Sequence, residues 1–167
     1  HLEWTGITRD TAQRGLWLAL FAVCAFIAVI GGRIVPAFTR NVMVRHGIID
    51  SLPVSFAWAE RIGIIASIAL GPLFALGSPD VLLGMASAAA ALANGVRLAG
   101  WKSRTTMGDP LLWSLHLGFA MLVLGYALLA IAWLTGVISP VSALHGLSIG
   151  AVGGMTLAMM TRAPLGH

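Results

Sequence analysis

Five long apolar stretches, separated by short polar ones, set the pattern of this chain. After an amphipathic opening from Glu3 to Arg14, the first runs from Gly15 to Gly32. The second lies between the Glu60–Arg61 pair and Gly77, with Gly71–Pro72 inside it, and reaches spanning length only by starting near Val54. The third covers Val81 to Gly100, the fourth Leu111 to Leu134 and the fifth Val141 to Met160. A helix needs about 20 residues to cross roughly 30 Å of hydrocarbon. The pattern therefore predicts five transmembrane helices, over residues 15–40, 54–77, 79–100, 110–134 and 140–162. The expected fold is all-α, a polytopic transmembrane helix bundle making a single membrane domain of residues 1–167. Ser78–Pro79, Asp109–Pro110 and Ser139–Pro140 support the boundaries. Each puts a capping side chain before a proline at the first helical position, where the missing N–H costs nothing.

Composition agrees with this picture and narrows it. Hydrophobic residues make up 58% of the 167 positions and charged ones 10%, with a mean hydropathy of +0.91. Soluble domains carry about 25% charged residues, so a disordered chain, a disulfide scaffold and an ordinary soluble enzyme are excluded. A net charge of +4 does not point to nucleic acid, because the ten Lys and Arg fall in short clusters between apolar runs. Arg33, Arg40, Arg45, Arg61, Arg97, Lys102, Arg104 and Arg162 collect on one side of the predicted membrane, and only Arg9 and Arg14 on the other. That asymmetry places the Arg40–Asp50 loop, the Trp101–Asp109 loop and the C-terminus in the cytoplasm. Cys24 is the single cysteine, so no intrachain disulfide forms, and no Cys-x-x-Cys-His is present to attach a haem covalently. The start at His1 and the odd number of spans lead us to expect half of a longer membrane protein.

Few residues are left to carry chemistry. His116 and His145 fall within spans, where ionisable groups are functional candidates. Helix rise puts His116 about 10 Å in from one face and His145 about 9 Å in from the other. They are then about 11 Å apart along the membrane normal plus an interaxial distance, too far to share one metal ion. The alternative for each is an interhelical hydrogen bond. Met155 and Met159, at i,i+4, present thioethers suited to Cu(I) on one helix face, or simply pack. Ser142, Gly146, Gly150, Gly154 and Ala158 form a small-residue stripe that predicts close approach of another helix.

If the first helix continues past Pro36, then Arg33, Arg40 and Asn41 share a face at i, i+7 and i+8. Pro36 would also free a carbonyl near residue 32. Two arginines so placed can clamp a carboxylate or snorkel to lipid phosphate. A second stripe, Ser87, Asn94, Arg97 and Trp101, predicts an ion pair from Arg97 to Glu60 or Asp109. No phosphate loop, Gly-x-Ser-x-Gly, zinc-type spacing or paired intramembrane carboxylates occur.

These motifs resemble the C-terminal half of the NnrS family of bacterial inner-membrane proteins. The likeness rests on Gly31-Gly32-Arg33-Ile34-Val35-Pro36 with Phe38-Thr39-Arg40-Asn41, and on Asp109-Pro110-Leu111-Leu112-Trp113 with His116-Leu117-Gly118. It continues through His145, Gly150, Met155-Thr156-Leu157 and Met160-Thr161-Arg162 to Leu165-Gly166-His167. Gly146 and Pro164 depart from the family's usual residues. The resemblance implies non-covalent b-type haem and copper, nitric oxide as a ligand, and a role in denitrification or nitrosative-stress protection. It makes His145 and His116 the candidate ligands, Arg33 and Arg40 partners for haem propionates, and Met155 with Met159 a further copper option. It also implies that an N-terminal half completes the protein. Catalysis, sensing and protection all fit such a protein. The competing readings are half of a metal-free transporter, with discontinuous helices at Gly31–Pro36 and Gly71–Pro72, and a packing module.

Overall fold

The computed structural model describes the backbone of residues 11–165 and side chains up to Thr161. The expectations placed on Glu3 to Arg9, on the Arg162 side chain and on Gly166–His167 lie outside the described residues. Five helices are long and apolar enough to cross a membrane: α1 (Thr11–Arg45), α2 (Ala57–Ala75), α3 (Asp80–Gly100), α4 (Pro110–Thr135) and α5 (Pro140–Thr161). Among the described residues there is no strand. This is the expected all-α transmembrane bundle. α4 is its centre, packed against α3 on one side and α5 on the other, while α1 lies on α2 and reaches α4 and α5.

Two spans differ from expectation. α1 is 35 residues long, running past the expected 15–40 at both ends, and Pro36 does not end it. Proline clashes with the carbonyl four residues earlier, and here a π-helical turn, Ile27–Gly31, widens the helix just ahead of that point. Pro72 likewise sits inside an unbroken α2, so neither segment is the discontinuous helix that a transporter reading requires. α2 starts at Ala57, not at Val54. Val54 lies outside the helix, and its N–H donates to Gly100 O at 3.0 Å. Gly100 has to be glycine there, because the Val54 carbonyl occupies the place of a Cβ.

Two of the three predicted caps form. Asp109 Oδ1 accepts from Leu111 N–H at 3.0 Å and Leu112 N–H at 3.1 Å. Ser139 Oγ accepts from Ser142 N–H at 3.1 Å. At the third entrance Pro79 itself holds the cap position and no side chain caps. Asp109→Ala is expected to cost about 1 kcal/mol, read as a lower melting temperature in detergent, with Asp109→Ser recovering most of it. A melt unchanged by the alanine would show that the cap contributes nothing.

The helices alternate in direction. One end gathers Thr11, the Ala75–Asp80 turn and the Thr135–Pro140 turn, closed by Trp17 stacked on Phe74 (4.9 Å between centroids) with Phe21 and Trp133 around them. The opposite end carries residues 45–57, the Trp101–Asp109 loop and most of the arginines. This is the basic end.

α5 contains a second π-helical segment, Gly146–Gly153. It changes how the small-residue stripe is used. Gly154 meets Gly118 of α4, a Cβ on Gly154 lying 3.8 Å from Gly118 Cα, and Gly150 lies against Met121. Ser142 and Gly146 are exposed. The i+4 stripe assumes an α-helix throughout; with the wider turns only its second half meets the α4 backbone closely, while Gly146 touches α4 just at Leu128, a Cβ there lying 3.4 Å from Leu128 Cδ1.

Candidate cofactor-binding residues

His145 ends the short α-helical entry to α5, directly before the π-segment. Its Nδ1 lies 2.8 Å from Val141 O, one turn back. A carbonyl only accepts, so Nδ1 carries the proton and Nε2 keeps a bare lone pair. A hydrogen bond of this kind fixes ring and tautomer in metal-ligating histidines. The ring is exposed and lines a groove of about 260 Å³ between α1 and α5, with Gln13, Trp17, Leu20 and Ser148.

His116 has the opposite character. It is 3% exposed, Nε2 lies 2.8 Å from Thr39 Oγ1 and Nδ1 2.9 Å from Ser103 Oγ. The Thr39 hydroxyl hydrogen is committed to Val35 O at 2.8 Å. Nε2–H therefore donates to Thr39, and Nδ1 accepts from Ser103. Both nitrogens are used, and the ring ties α1, α4 and the 3₁₀ turn Ser103–Thr106 together against Trp101. The two histidines occupy opposite ends. On α1 alone, Gln13 and Thr39 are about 39 Å apart by helix rise.

Met155 and Met159 line a second groove between α1 and α5, about 300 Å³ and almost wholly apolar, with Phe26, Ile27, Ile30 and Gly31. Both π-segments border this α1–α5 seam. Arg33 and Arg40 do share the exposed face of α1 with Asn41. Arg33 Nε lies 3.8 Å from Glu60 Oε1, both partly in solvent, a pair of little energetic weight. Arg40 opens onto a separate groove with Asn41 and Arg45.

Arg97 departs from its expected pairing with Glu60 or Asp109. Glu60 faces Arg33 and Asp109 caps α4. The guanidinium is 2% exposed, and its Nη1 donates to Ala28 O at 2.9 Å and Asn94 Oδ1 at 2.7 Å. Ala28 belongs to the π-turn, where carbonyls lose their regular i→i+4 partner. The released carbonyl is thus at residue 28, one turn before the predicted position. Gly32 makes room for the guanidinium, which fills the place of its Cβ. Asn94 passes the network on to Ser67 Oγ at 3.3 Å.

Sequence reasoning missed the π-segments, the hydroxyl partners of His116 and the groove residues Gln13, Trp17 and Ser148. The glycines at 146, 150, 153 and 154 were the only available sign of the second π-segment. Among the described residues, no three His, Cys, Asp or Glu side chains converge on one point where they could hold a metal ion. Of the candidate donors only His145 stands exposed, Met159 is half-buried, and His116 and Met155 are buried.

Compared with known proteins, the chain matches the family model described as NnrS protein over residues 1–167. No curated protein and no solved structure matches.

Proposed function

Because the chain belongs to the NnrS family, we propose that it is a haem- and copper-binding membrane component of the bacterial response to nitric oxide, placed in the inner membrane with its basic end toward the cytoplasm. The observation that carries this reading is the exposed His145, whose Nδ1 is held by Val141 O and whose Nε2 is left as a donor atom. A haem iron or a copper ion held there would supply the site for nitric oxide to bind and for electrons to move. The groove offers apolar walls from Trp17 and Leu20, but at about 260 Å³ it is one wall of a site and not an enclosure. A neighbouring helix or a second half of the protein completes it.

Met155 and Met159 supply soft donors for Cu(I) in the apolar groove one or two turns further along. His116 enters as a second donor, available once its bond to Thr39 opens. Arg33 and Arg40 serve carboxylates of a group seated at the basic end; α1 separates them by about 20–40 Å from the His145 groove.

The test is the absorption spectrum and metal content of the full-length protein. His145→Ala is expected to lose haem or copper, and His116→Ala to lose less, with a lower melting temperature from its broken hydrogen bonds. Haem and copper contents unchanged in both variants would end the ligand assignment. Substrate flux through liposomes by a metal-free protein would favour the transporter reading.

A further inference from the structure

At the basic end of α1, two arginines have no hydrogen-bond or ion-pair partner among the described residues. Arg40 and Arg45, with Phe38, Asn41 and Val44, line an open groove of about 660 Å³. Both are exposed, and neither enters an ion pair or hydrogen bond among the described residues, where the single ion pair is Arg33–Glu60. No acidic side chain lines the groove. Like charges left close together and unneutralised call for an external anion.

The order of side chains around the helix indicates which anion. At about 100° per residue, Val44 stands about 40° from Arg40, Asn41 about 100° and Arg45 about 140°. Going round the surface, the groove therefore presents a guanidinium, an aliphatic side chain, an amide and a second guanidinium. The arginines are separated by about 7.5 Å along the axis. Both guanidiniums line this one groove, and each can bind phosphate oxygens through paired N–H donors. The Asn41 amide has a donor for an ester carbonyl, and Val44 faces glycerol and acyl carbons. A free phosphate would have no use for the last two.

Position makes the same selection. The groove is continuous with a membrane-spanning helix, at the end where its apolar run gives way to arginines. Headgroup phosphates lie at that level of a bilayer, and each basic residue near an anionic lipid surface contributes about a fivefold gain in affinity. Arg33, seven residues deeper, is already engaged with Glu60.

We propose that Arg40, Asn41 and Arg45 form a binding site for the headgroup of an anionic phospholipid of the surrounding bilayer. The site acts as a fixed anchor for the basic end of α1. It does not depend on any cofactor at His145; Arg40 is also the residue proposed above for a cofactor carboxylate, and Arg45, which has no part in that assignment, separates the two.

The test reconstitutes the full-length protein in nanodiscs of phosphatidylcholine with a minor fraction of phosphatidylglycerol. Lipids retained on release are counted by native mass spectrometry, with absorption recorded on the same samples to read cofactor content separately. The wild type is expected to retain phosphatidylglycerol well above its share of the bilayer. Arg45→Gln should reduce that enrichment about fivefold, Arg40→Gln and Arg45→Gln together should abolish it, and Arg45→Lys should keep most of it. Arg61→Gln, beside Glu60, should leave it unchanged. Equal retention of the two lipids by the wild type, or enrichment that survives the double variant, would overturn the site. Displacement of the lipid by millimolar inorganic phosphate would also overturn it, identifying a site for soluble anions.

Discussion

Gly118→Val is expected to lower the stability of the bundle by about 3 kcal/mol, the upper end of the usual cost of overpacking. A Cβ at position 118 would lie 3.1 Å from both Met155 Cα and Met155 N, and 3.4 Å from Gly154 C. These are backbone atoms, which cannot rotate aside as a side chain can. The only relief is to move α5 off α4, loosening Ala151, Met155 and Ala158, all buried. Gly95→Val is the control, since a Cβ there meets only Val123 Cγ1 at the ordinary distance of 3.5 Å. Thermal or denaturant unfolding in micelles reads both variants. If Gly118→Val unfolds with the wild type, the close approach of α4 and α5 is not a source of stability.

Asn94→Leu should cost more, about 3–5 kcal/mol, because it removes one partner from a buried charge and leaves the charge behind. Arg97 would keep Ala28 O and the rings of Trp101 and Phe119, 5.9 and 5.7 Å from its Cζ. It cannot shed its proton to escape the apolar surroundings. Arg97→Met strands only neutral acceptors, Ala28 O and Asn94 Oδ1, and removes the charge itself. Its expected cost is smaller, about 1–3 kcal/mol. Combining the two should therefore restore stability relative to Asn94→Leu alone, and a double-mutant cycle in micelles measures that coupling. Additive losses would mean that the two side chains do not act on each other.

The spans were legible because crossing hydrocarbon demands about 20 apolar residues whatever the fold. The caps at Asp109 and Ser139 were legible too, since capping is local chemistry. The partners of the buried polar residues were not. The expected partner for a buried cation is a carboxylate, yet Arg97 pairs with the Ala28 carbonyl in the π-helical turn Ile27–Gly31. Nothing in the apolar run around Ile27 distinguishes that turn from an α-helical one. Thr39 lies 77 residues from His116, and no periodicity links two such positions. His145 is different. Its carbonyl partner is four residues back on its own helix, so the fixed tautomer could have been anticipated from local geometry, whereas the groove with Gln13 and Trp17 needed the fold.

The π-segment in α5 has a consequence for how this helix can change over time. A widened turn holds more residues than an α-helical turn of the same length, so Gly146–Gly153 amounts to a surplus carried in mid-helix. Deleting one residue there would let the segment tighten to α-helical turns, absorbing much of the roughly 100° by which a deletion in a regular α-helix turns everything beyond it. Met155 would keep its place near Gly31 and Gly118, and His145, upstream, would stay where it is. The length of α5 can in this sense vary by a residue between its donor and its packed half without uncoupling the two.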